Sequence, residues 1–292
     1  MLKVISFICI ILLLAMIFVA IESVIECSKI KITKYTLKSS HVNDKLKLVM
    51  MADLHNCNRR DDNKKMLDAI RNEAPDVIIL AGDMIVSHSD QGEDNKKTAG
   101  FIEKLSSIAP VYYGVGNHEK RAIISEKKLV SLWKEYISVL NNNENIHLLQ
   151  NQKERIVLND TPVSISGLDL HIDYYKRFVE KKLTREDVVS LVGECDKDSF
   201  NILIAHNPDY FNVYAEYGAQ LICSGHNHGG LMRLPILGGV ISPRLRLFPK
   251  YDYGIYTKNN SNMVLTGGLG AHSMKIRVNN IPEVVVLDIA KE

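Results

Sequence analysis

Cysteine is scarce and irregularly placed in this chain, with five residues at positions 9, 27, 57, 195 and 223 of 292. An odd number without short regular spacing excludes a disulfide framework and a cysteine-based zinc site. Ordinary buried or free thiols are expected, including Cys57 and Cys223 beside the histidine clusters described below. A basic block is also missing. With 36 Lys and Arg against 34 Asp and Glu the formal net charge is +2, so nothing argues for nucleic acid held by charge, and a mixed solvated surface is expected. No internal repeat and no low-complexity linker interrupts the chain. What remains, 46% hydrophobic and 24% charged, is the make-up of an ordinary globular protein with enough chain for one large core.

A clean cleavage site is missing too, and that bears on the N-terminus. Val4 to Ile21 is an uncharged apolar run of 18 residues broken only by Ser6, close to the roughly 20 that a helix needs to cross a bilayer. The competing signal peptide would need a small-x-small site, which Phe18-Val19-Ala20-Ile21-Glu22 fits poorly. Glu26, bulky and charged before Cys27, argues against lipoprotein processing. Residues 1–27 are therefore expected to be an uncleaved membrane anchor, with 28–292 as the domain it carries. Which side that domain faces stays open. Lys29, Lys31, Lys34 and Lys38 after the span, against Lys3 before it, favour the cytoplasm, yet long domains are translocated regardless of flanking charge.

Beyond the anchor, Ser28 to Ser40 alternates polar and apolar residues as an edge strand would, and then an α/β rhythm begins. Leu46–Met51 reads as a buried strand ending at Asp53-Leu54-His55. A helix is expected over 62–72 with Pro75 beyond it, then a strand over 77–80 ending at Gly82-Asp83. The unit recurs, with a helix over 98–108 stopped by Pro110 and a strand over 111–115 ending at Gly116-Asn117-His118-Glu119. A helix over 126–140 follows, then short strands at 146–149, 156–158 and 163–168 that read as antiparallel. Thr184-Arg185-Glu186-Asp187 has the form of a capping box, so a helix should run to about Cys195. A strand over 201–205 closes on His206, a helix carries Phe211, Val213 and Tyr214, and Leu221-Ile222 leads into Gly225-His226-Asn227-His228-Gly229-Gly230. Strands are expected in the tail at 254–257, 263–266 and 283–289.

Each polar cluster taken singly has an ordinary explanation: Asp-x-His occurs by chance, Gly-Asp is a common turn, and a lone His206 is more often a core histidine than a ligand. Together they place Asp53, His55, Asp83, Asn117, His118, His206, His226 and His228 at the ends of apolar strands, where open α/β sheets keep their sites. The pair His226 and His228 is expected to point its rings apart as it leaves its strand, so that two neighbouring ions could each take one. Carboxylate, imidazole and amide oxygen without thiolate suit manganese, iron, zinc or cobalt rather than a closed structural zinc site. Two ions about 3.5–4 Å apart can clamp the attacking and leaving oxygens of a phosphoryl displacement.

Asp53-x-His55, Gly82-Asp83, Gly116-Asn117-His118-Glu119, His206 and Gly225-His226-x-His228 resemble the five blocks of the calcineurin-like metallophosphoesterases. Ala205-His206-Asn207-Pro208-Asp209, Arg233-Leu234-Pro235, Ser242-Pro243, Phe248-Pro249-Lys250-Tyr251 and Pro282-Glu283 resemble its bacterial membrane-anchored phosphodiesterase branch. The resemblance spans about 46–289, and it implies a four-layer α-β-β-α sandwich of two mixed sheets flanked by helices, with 28–292 as the catalytic domain. It implies two divalent metals, manganese first and iron, zinc, cobalt or nickel as alternatives. Asp53, His55 and His228 would hold one, Asn117, His206 and His226 the other, with Asp83 between them. A water bridging the ions, lowered in pKa, would attack phosphorus, and His118, a protonated imidazole, would assist the leaving oxygen. Leu231, where relatives of this branch often carry glutamine, touches substrate contacts rather than ligands. The expected function is hydrolysis of a phosphodiester or pyrophosphate bond in a phosphoester, which the anchor makes attractive as a lipid-linked one. A phosphomonoesterase and a non-catalytic interaction module are the alternatives. The first is separated by comparing mono- and diesters, the second by whether two ions are bound. The reading requires Asp83 to lie beside both His226 and Asn117.

Overall fold

The computed structural model describes every residue except 1, 60, 62, 89–90, 178–180, 231 and 271–275. Three runs of branched and aliphatic residues, β2 (Leu46–Met51), β3 (Val77–Ala81) and β4 (Val111–Gly114), are buried almost throughout. Strands covered on both faces read this way, and the three pair in parallel as neighbours. Among the described residues they form a six-stranded mixed sheet with β1 (Lys31–Ser39), β5 (Ile146–Leu149) and β14 (Glu283–Lys291), in the order β1-β14-β2-β3-β4-β5. A second six-stranded mixed sheet takes the order β12-β13-β9-β8-β7-β6. Its strands are β6 (Gln152–Leu158), β7 (Thr161–Leu168), β8 (Phe200–Ala205), β9 (Leu221–Ser224), β12 (Gly254–Lys258) and β13 (Ser261–Leu265).

The two sheets meet face to face across one apolar layer that includes Leu48, Ile79 and Tyr112 from the first and Ile165, Ile202 and Cys223 from the second. The outer face of the first sheet is covered by helices α2 (Lys64–Glu73), α3 (Gly92–Ser106) and α5 (Lys127–Asn141) through Met66, Ile102 and Tyr136. That of the second is covered by α6 (Arg185–Val192) and α7 (Phe211–Tyr217) through Val188 and Tyr214. The result is the expected α-β-β-α sandwich. Each fully buried aliphatic side chain contributes roughly 1.5–3 kcal/mol, so the loops at the strand ends rest on a stiff double layer.

The departures from expectation have physical reasons. The strand at 146–149 is not antiparallel: β5 follows the α5 crossover, so it pairs in parallel with β4, and β7 likewise pairs in parallel with β8. Only β6 and β7 make the expected antiparallel pair. Helix α3 starts at Gly92 rather than 98, because its first turns are polar and carry ion pairs from Lys96 to Glu93 and from Lys97 to Asp94 that leave no apolar rhythm to read. The capping box forms, with Thr184 and Asp187 bonding each other's backbone N–H. Its helix ends at Val192 because Gly193 turns out at φ 74°. A further helix, α4 (Asn117–Ile124), begins inside what reads as a strand-end cluster, and a two-stranded hairpin joins β10 (Arg233–Leu234) to β11 (Gly238–Gly239). Asp62 and Leu231 lie outside the described residues.

The N-terminal run forms a helix, α1 (Leu2–Cys27), longer than the apolar stretch alone. Its 26 residues reach about 39 Å at 1.5 Å each. It is long and apolar enough to cross a membrane, and none of its most apolar stretch is buried against the rest of the chain.

Candidate active site

Five strand ends bring the eight singled-out residues to one edge of the sandwich. Asp53 and His55 follow β2, Asp83 follows β3, Asn117 and His118 open α4 after β4, His206 follows β8, and His226 and His228 follow β9. All are buried or nearly so; Asp53 and His206 are at most 1% exposed. The turns that carry them are bonded to one another, with Asp53 N–H on Gly82 carbonyl at 2.9 Å, His55 N–H on Asp83 carbonyl at 3.1 Å and Gly225 N–H on His206 carbonyl at 3.1 Å.

Asp53, His55, Asp83, His226 and His228 all have positive φ, between 48° and 72°. Non-glycine residues visit this region seldom, at a cost of order 1 kcal/mol each. Its recurrence here aims the side chains inward. It also sets the histidine pair, whose rings do part, by a route other than the strand itself. Strand alternation would place residues two apart on the same side; the left-handed turns at His226 and His228 are what separate their rings. Gly82, at φ 89°, has no room for a side chain, since a Cβ would lie 2.7 Å from Gly116 N and 2.8 Å from His206 Nδ1.

The donor atoms converge in three overlapping groups, Asp53 with His55 and His228, His55 with Asp83 and His118, and Asp83 with His206 and His226, each within 4.8 Å of one another. His55 Nε2 and His228 Nε2 are 3.0 Å apart, and Asp53 Oδ1 is 3.4 Å from the latter. Asp83 Oδ2 is 3.2 Å from His206 Nε2 and 4.0 Å from His55 Nε2, which puts that carboxylate between the groups. Asn117 Oδ1 is buried and accepts no hydrogen bond among the described residues. A buried amide oxygen left so is costly unless something positive meets it. With carboxylate and imidazole donors at this spacing, the site fits divalent metal ions. Thiolate has no part in it: Cys223 is buried in the intersheet core, where burial holds its thiol protonated, and the cysteines are free.

The local charges follow from packing. Burial, with Asp83 adding to it, outweighs the neighbouring His206 and pushes Asp53 up to about 7. Burial opposes a charge on His206, but the Asp83 carboxylate beside it prevails and pushes the imidazole up to about 10. Asp83 is buried too, yet His206 and His118 hold it well below the usual carboxylate range. The two carboxylates are thus driven apart, Asp53 holding its proton to higher pH than Asp83. His206 Nδ1 donates to Ala81 carbonyl at 2.6 Å, which turns Nε2 toward Asp83. His118 Nδ1 accepts from Ser87 N–H at 3.2 Å, so a neutral His118 carries its proton on Nε2.

One residue of weight is absent from the sequence-derived set. Glu119, fully buried, accepts N–H bonds from Asp83 at 2.8 Å, Met84 at 2.7 Å, Ile85 at 3.3 Å and Gly116 at 2.9 Å, and the Tyr113 hydroxyl at 2.7 Å. One carboxylate therefore ties the Asp83 turn to the start of α4. Its place in Gly116-Asn117-His118-Glu119, three residues after a glycine, was the available signal.

The sequence model of the calcineurin-like phosphoesterases matches residues 46–230. That is more than half of the chain and contains all eight residues. The chain belongs to this family. The chain is accordingly a metal-dependent phosphoester hydrolase. Among curated proteins it is 24% identical over 271 residues to YkuE of Bacillus subtilis, an uncharacterised metallophosphoesterase, covering 91% of this chain and 87% of that one. It is 25% identical to the phosphodiesterase YaeI of Escherichia coli, over 83% of this chain and 82% of that one. It is also 24% identical to the UDP-2,3-diacylglucosamine pyrophosphatase LpxG of Chlamydia muridarum, over 65% of each. The family membership and the convergent donors agree on metal-dependent phosphoester hydrolysis.

Proposed function

We propose that this hydrolase is a binuclear phosphodiesterase or pyrophosphatase, tethered to the membrane by residues 1–27 with 28–292 as its catalytic domain. The carrying observation is that Asp83 belongs to two donor groups at once while Asn117 Oδ1 is buried with no donor among the described residues. Asp53, His55 and His228 would hold one divalent ion, Asn117, His206 and His226 the other, with Asp83 shared; manganese is the first candidate. Such ions supply an activated water and offset charge on the phosphoryl oxygens. His118, with Nδ1 engaged by Ser87, would offer its Nε2 proton to the leaving oxygen. Support for a retained anchor comes from Glu26, whose carboxylate accepts the Asn280 N–H at 2.7 Å, a contact that removal of the helix would break. The pyrophosphatase activity named for LpxG makes a lipid-linked substrate a reasonable class.

The full chain, purified in detergent, tests this. Metal analysis should find two ions per chain, and bis(p-nitrophenyl) phosphate should be hydrolysed faster than p-nitrophenyl phosphate with Mn, Zn, Fe, Ni or Mg supplied in turn. Faster monoester hydrolysis would assign a phosphomonoesterase. Fewer than two ions would remove the binuclear reading, and two ions without turnover of either ester would remove the phosphodiesterase reading.

A further inference from the structure

The end of α1 does more than leave the membrane beside the domain. Its Ser23 Oγ accepts the Arg277 N–H at 3.1 Å, and its Cys27 carbonyl accepts from Arg59 at 2.8 Å. Arg277 is itself buried and donates to the carbonyls of Gly267, Gly270 and Asn280. Asn280 in turn donates from Nδ2 to the His228 carbonyl at 2.6 Å, and Gly270 N–H to the Asp53 carbonyl at 2.7 Å. The last turn of the apolar helix and two residues of the candidate metal site therefore belong to one hydrogen-bonded block.

The cavities follow that block. A cavity of about 860 Å³ is bounded by His55 and His118 on one side and by Ser23, Val24 and Cys27 of α1 on another. Ser23 and Val24 also line an apolar groove of about 570 Å³ that continues along α1 past Ala20, Met16 and Leu12, with Ile276 opposite. Residues spaced three and four apart lie on one helical face. The groove is thus a stripe along the helix that opens at its foot into the cavity holding the candidate proton donor. Next to it, Arg233 N–H bonds the Val278 carbonyl and so joins the hairpin to the same segment. The tip of that hairpin exposes Leu234, Ile236 and Leu237, the isoleucine fully. Side chains of this kind at the foot of a membrane helix suit an apolar surrounding.

We propose that α1 is a wall of the substrate site as well as an anchor. The alkyl chain of a membrane-embedded phosphoester lies in the groove along Leu12–Val24 while its phosphoryl group reaches the cavity at His55 and His118. This rests on the hydrolase reading above and adds to it where the alkyl chain of a lipid-linked substrate lies and its direction of approach, from within the bilayer rather than from water. An alkyl chain is the occupant that matches an apolar groove running along a helix long enough to cross a membrane, and its continuity with the cavity at Ser23 and Val24 makes that chain part of the substrate.

The test uses the full chain in lipid nanodiscs with Mn²⁺ and two diesters that share one scissile group, methyl p-nitrophenyl phosphate and hexadecyl p-nitrophenyl phosphate. Wild type should prefer the hexadecyl ester in kcat/KM. Ala20→Trp, filling the groove, should lower the ratio of the two values about tenfold, the loss expected when two buried methylenes leave it. Leu14→Trp, on the opposite side of the helix, should leave the ratio where it is. Misfolding lowers both rates and not their ratio. No preference in wild type, an unchanged ratio in Ala20→Trp, or an equal fall in Leu14→Trp overturns the proposal, the second by assigning the preference to partition into the bilayer. If wild type cleaves neither ester with any metal, the hydrolase reading itself falls, and this inference with it.

Discussion

Replacing Glu119 by glutamine isolates the carboxylate clamp with almost no change of shape. In the native protein Glu119 Oε2 faces the N–H groups of Asp83 and Gly116, and Oε1 faces those of Met84 and Ile85 together with the Tyr113 hydroxyl. A carboxamide has one oxygen. Whichever way it is turned, its NH₂ meets two buried backbone donors. The hydroxyl can rotate to accept, but the N–H groups cannot. Two buried donors left unsatisfied cost about 1–3 kcal/mol each, or about 2–6 kcal/mol together. Burial and the Asp83 charge already raise the Glu119 carboxyl above its ordinary value, so removing its charge recovers part of this, and a net loss of about 2–4 kcal/mol is expected. That is a large fraction of the 5–15 kcal/mol of a typical domain. Urea unfolding of the full chain in detergent measures it, with diester turnover followed on the fraction that stays folded. Turnover should fall at least tenfold, because the Asp83 turn loses its tether to α4. Tyr113→Phe removes one donor to Glu119 and the acceptor of the buried Tyr136 hydroxyl but leaves both carboxylate oxygens in use, so it should cost about 1–3 kcal/mol and leave turnover intact. If Glu119→Gln matched Tyr113→Phe in stability and retained wild-type turnover, the clamp would have no such role.

Asp83→Asn should lower bound metal and turnover together, whereas His118→Asn should lower turnover about 10²–10⁴-fold, the span of a general acid, and leave both ions in place by metal analysis; equal loss of metal in the two variants would make His118 a ligand. Gly116→Ala should abolish metal binding, because its Cβ would sit 2.3 Å from Asp83 Oδ1; an active Gly116→Ala enzyme would show that the turn can shift. Protein stripped by chelation carries a proton on His206, raised to about 10, and part of one on Asp53, raised to about 7, so Mn²⁺ binding at pH 7 should release between about one and two protons, measured by calorimetry in buffers of different ionisation enthalpy. Both groups bind protons more tightly folded than unfolded, so the stability they give stripped protein is present at low pH. It is lost as pH rises, through about 7 for Asp53 and about 10 for His206. Metal-loaded protein has already surrendered those protons and should not show that loss.

The parts of the fold legible in the sequence are those in which a strand or helix is apolar on its own account. β2 was read to the residue, and β3, β4, β8 and β9 within one or two, because strands buried on both faces are short unbroken apolar runs. The polar first turns of α3 carried no such rhythm. Neither did α4, whose opening residues Asn117, His118 and Glu119 are chosen by the site and not by helix propensity. Pairing direction was lost for a related reason. Whether β5 runs parallel or antiparallel depends on whether the α5 connection returns the chain to the end of the sheet where β4 began, and single-sequence periodicity does not record that.

The site divides along the same line. Residues that would meet a ligand stand out by chemical type, since aspartates and histidines at the ends of apolar runs are out of place as packing. Residues that hold them do not. Glu119 is three residues from a glycine in the cluster already singled out, yet its importance lies in five donors gathered from two turns and strand β4, and only the folded backbone assembles them. The end of α1 is the stronger case. Composition reads Val4 to Ile21 as a span and stops where charge begins, at Glu22. The structure carries the helix on to Cys27 and buries Ser23 and Glu26 against the 277–280 segment behind His228. Charge near a membrane helix is commonly a solvated flank, and a buried carboxylate there requires a fixed partner. Because Glu26 finds it in the Asn280 N–H, on a residue that also grips His228, the orientation of the anchor and the geometry of the candidate site are set by the same few hydrogen bonds.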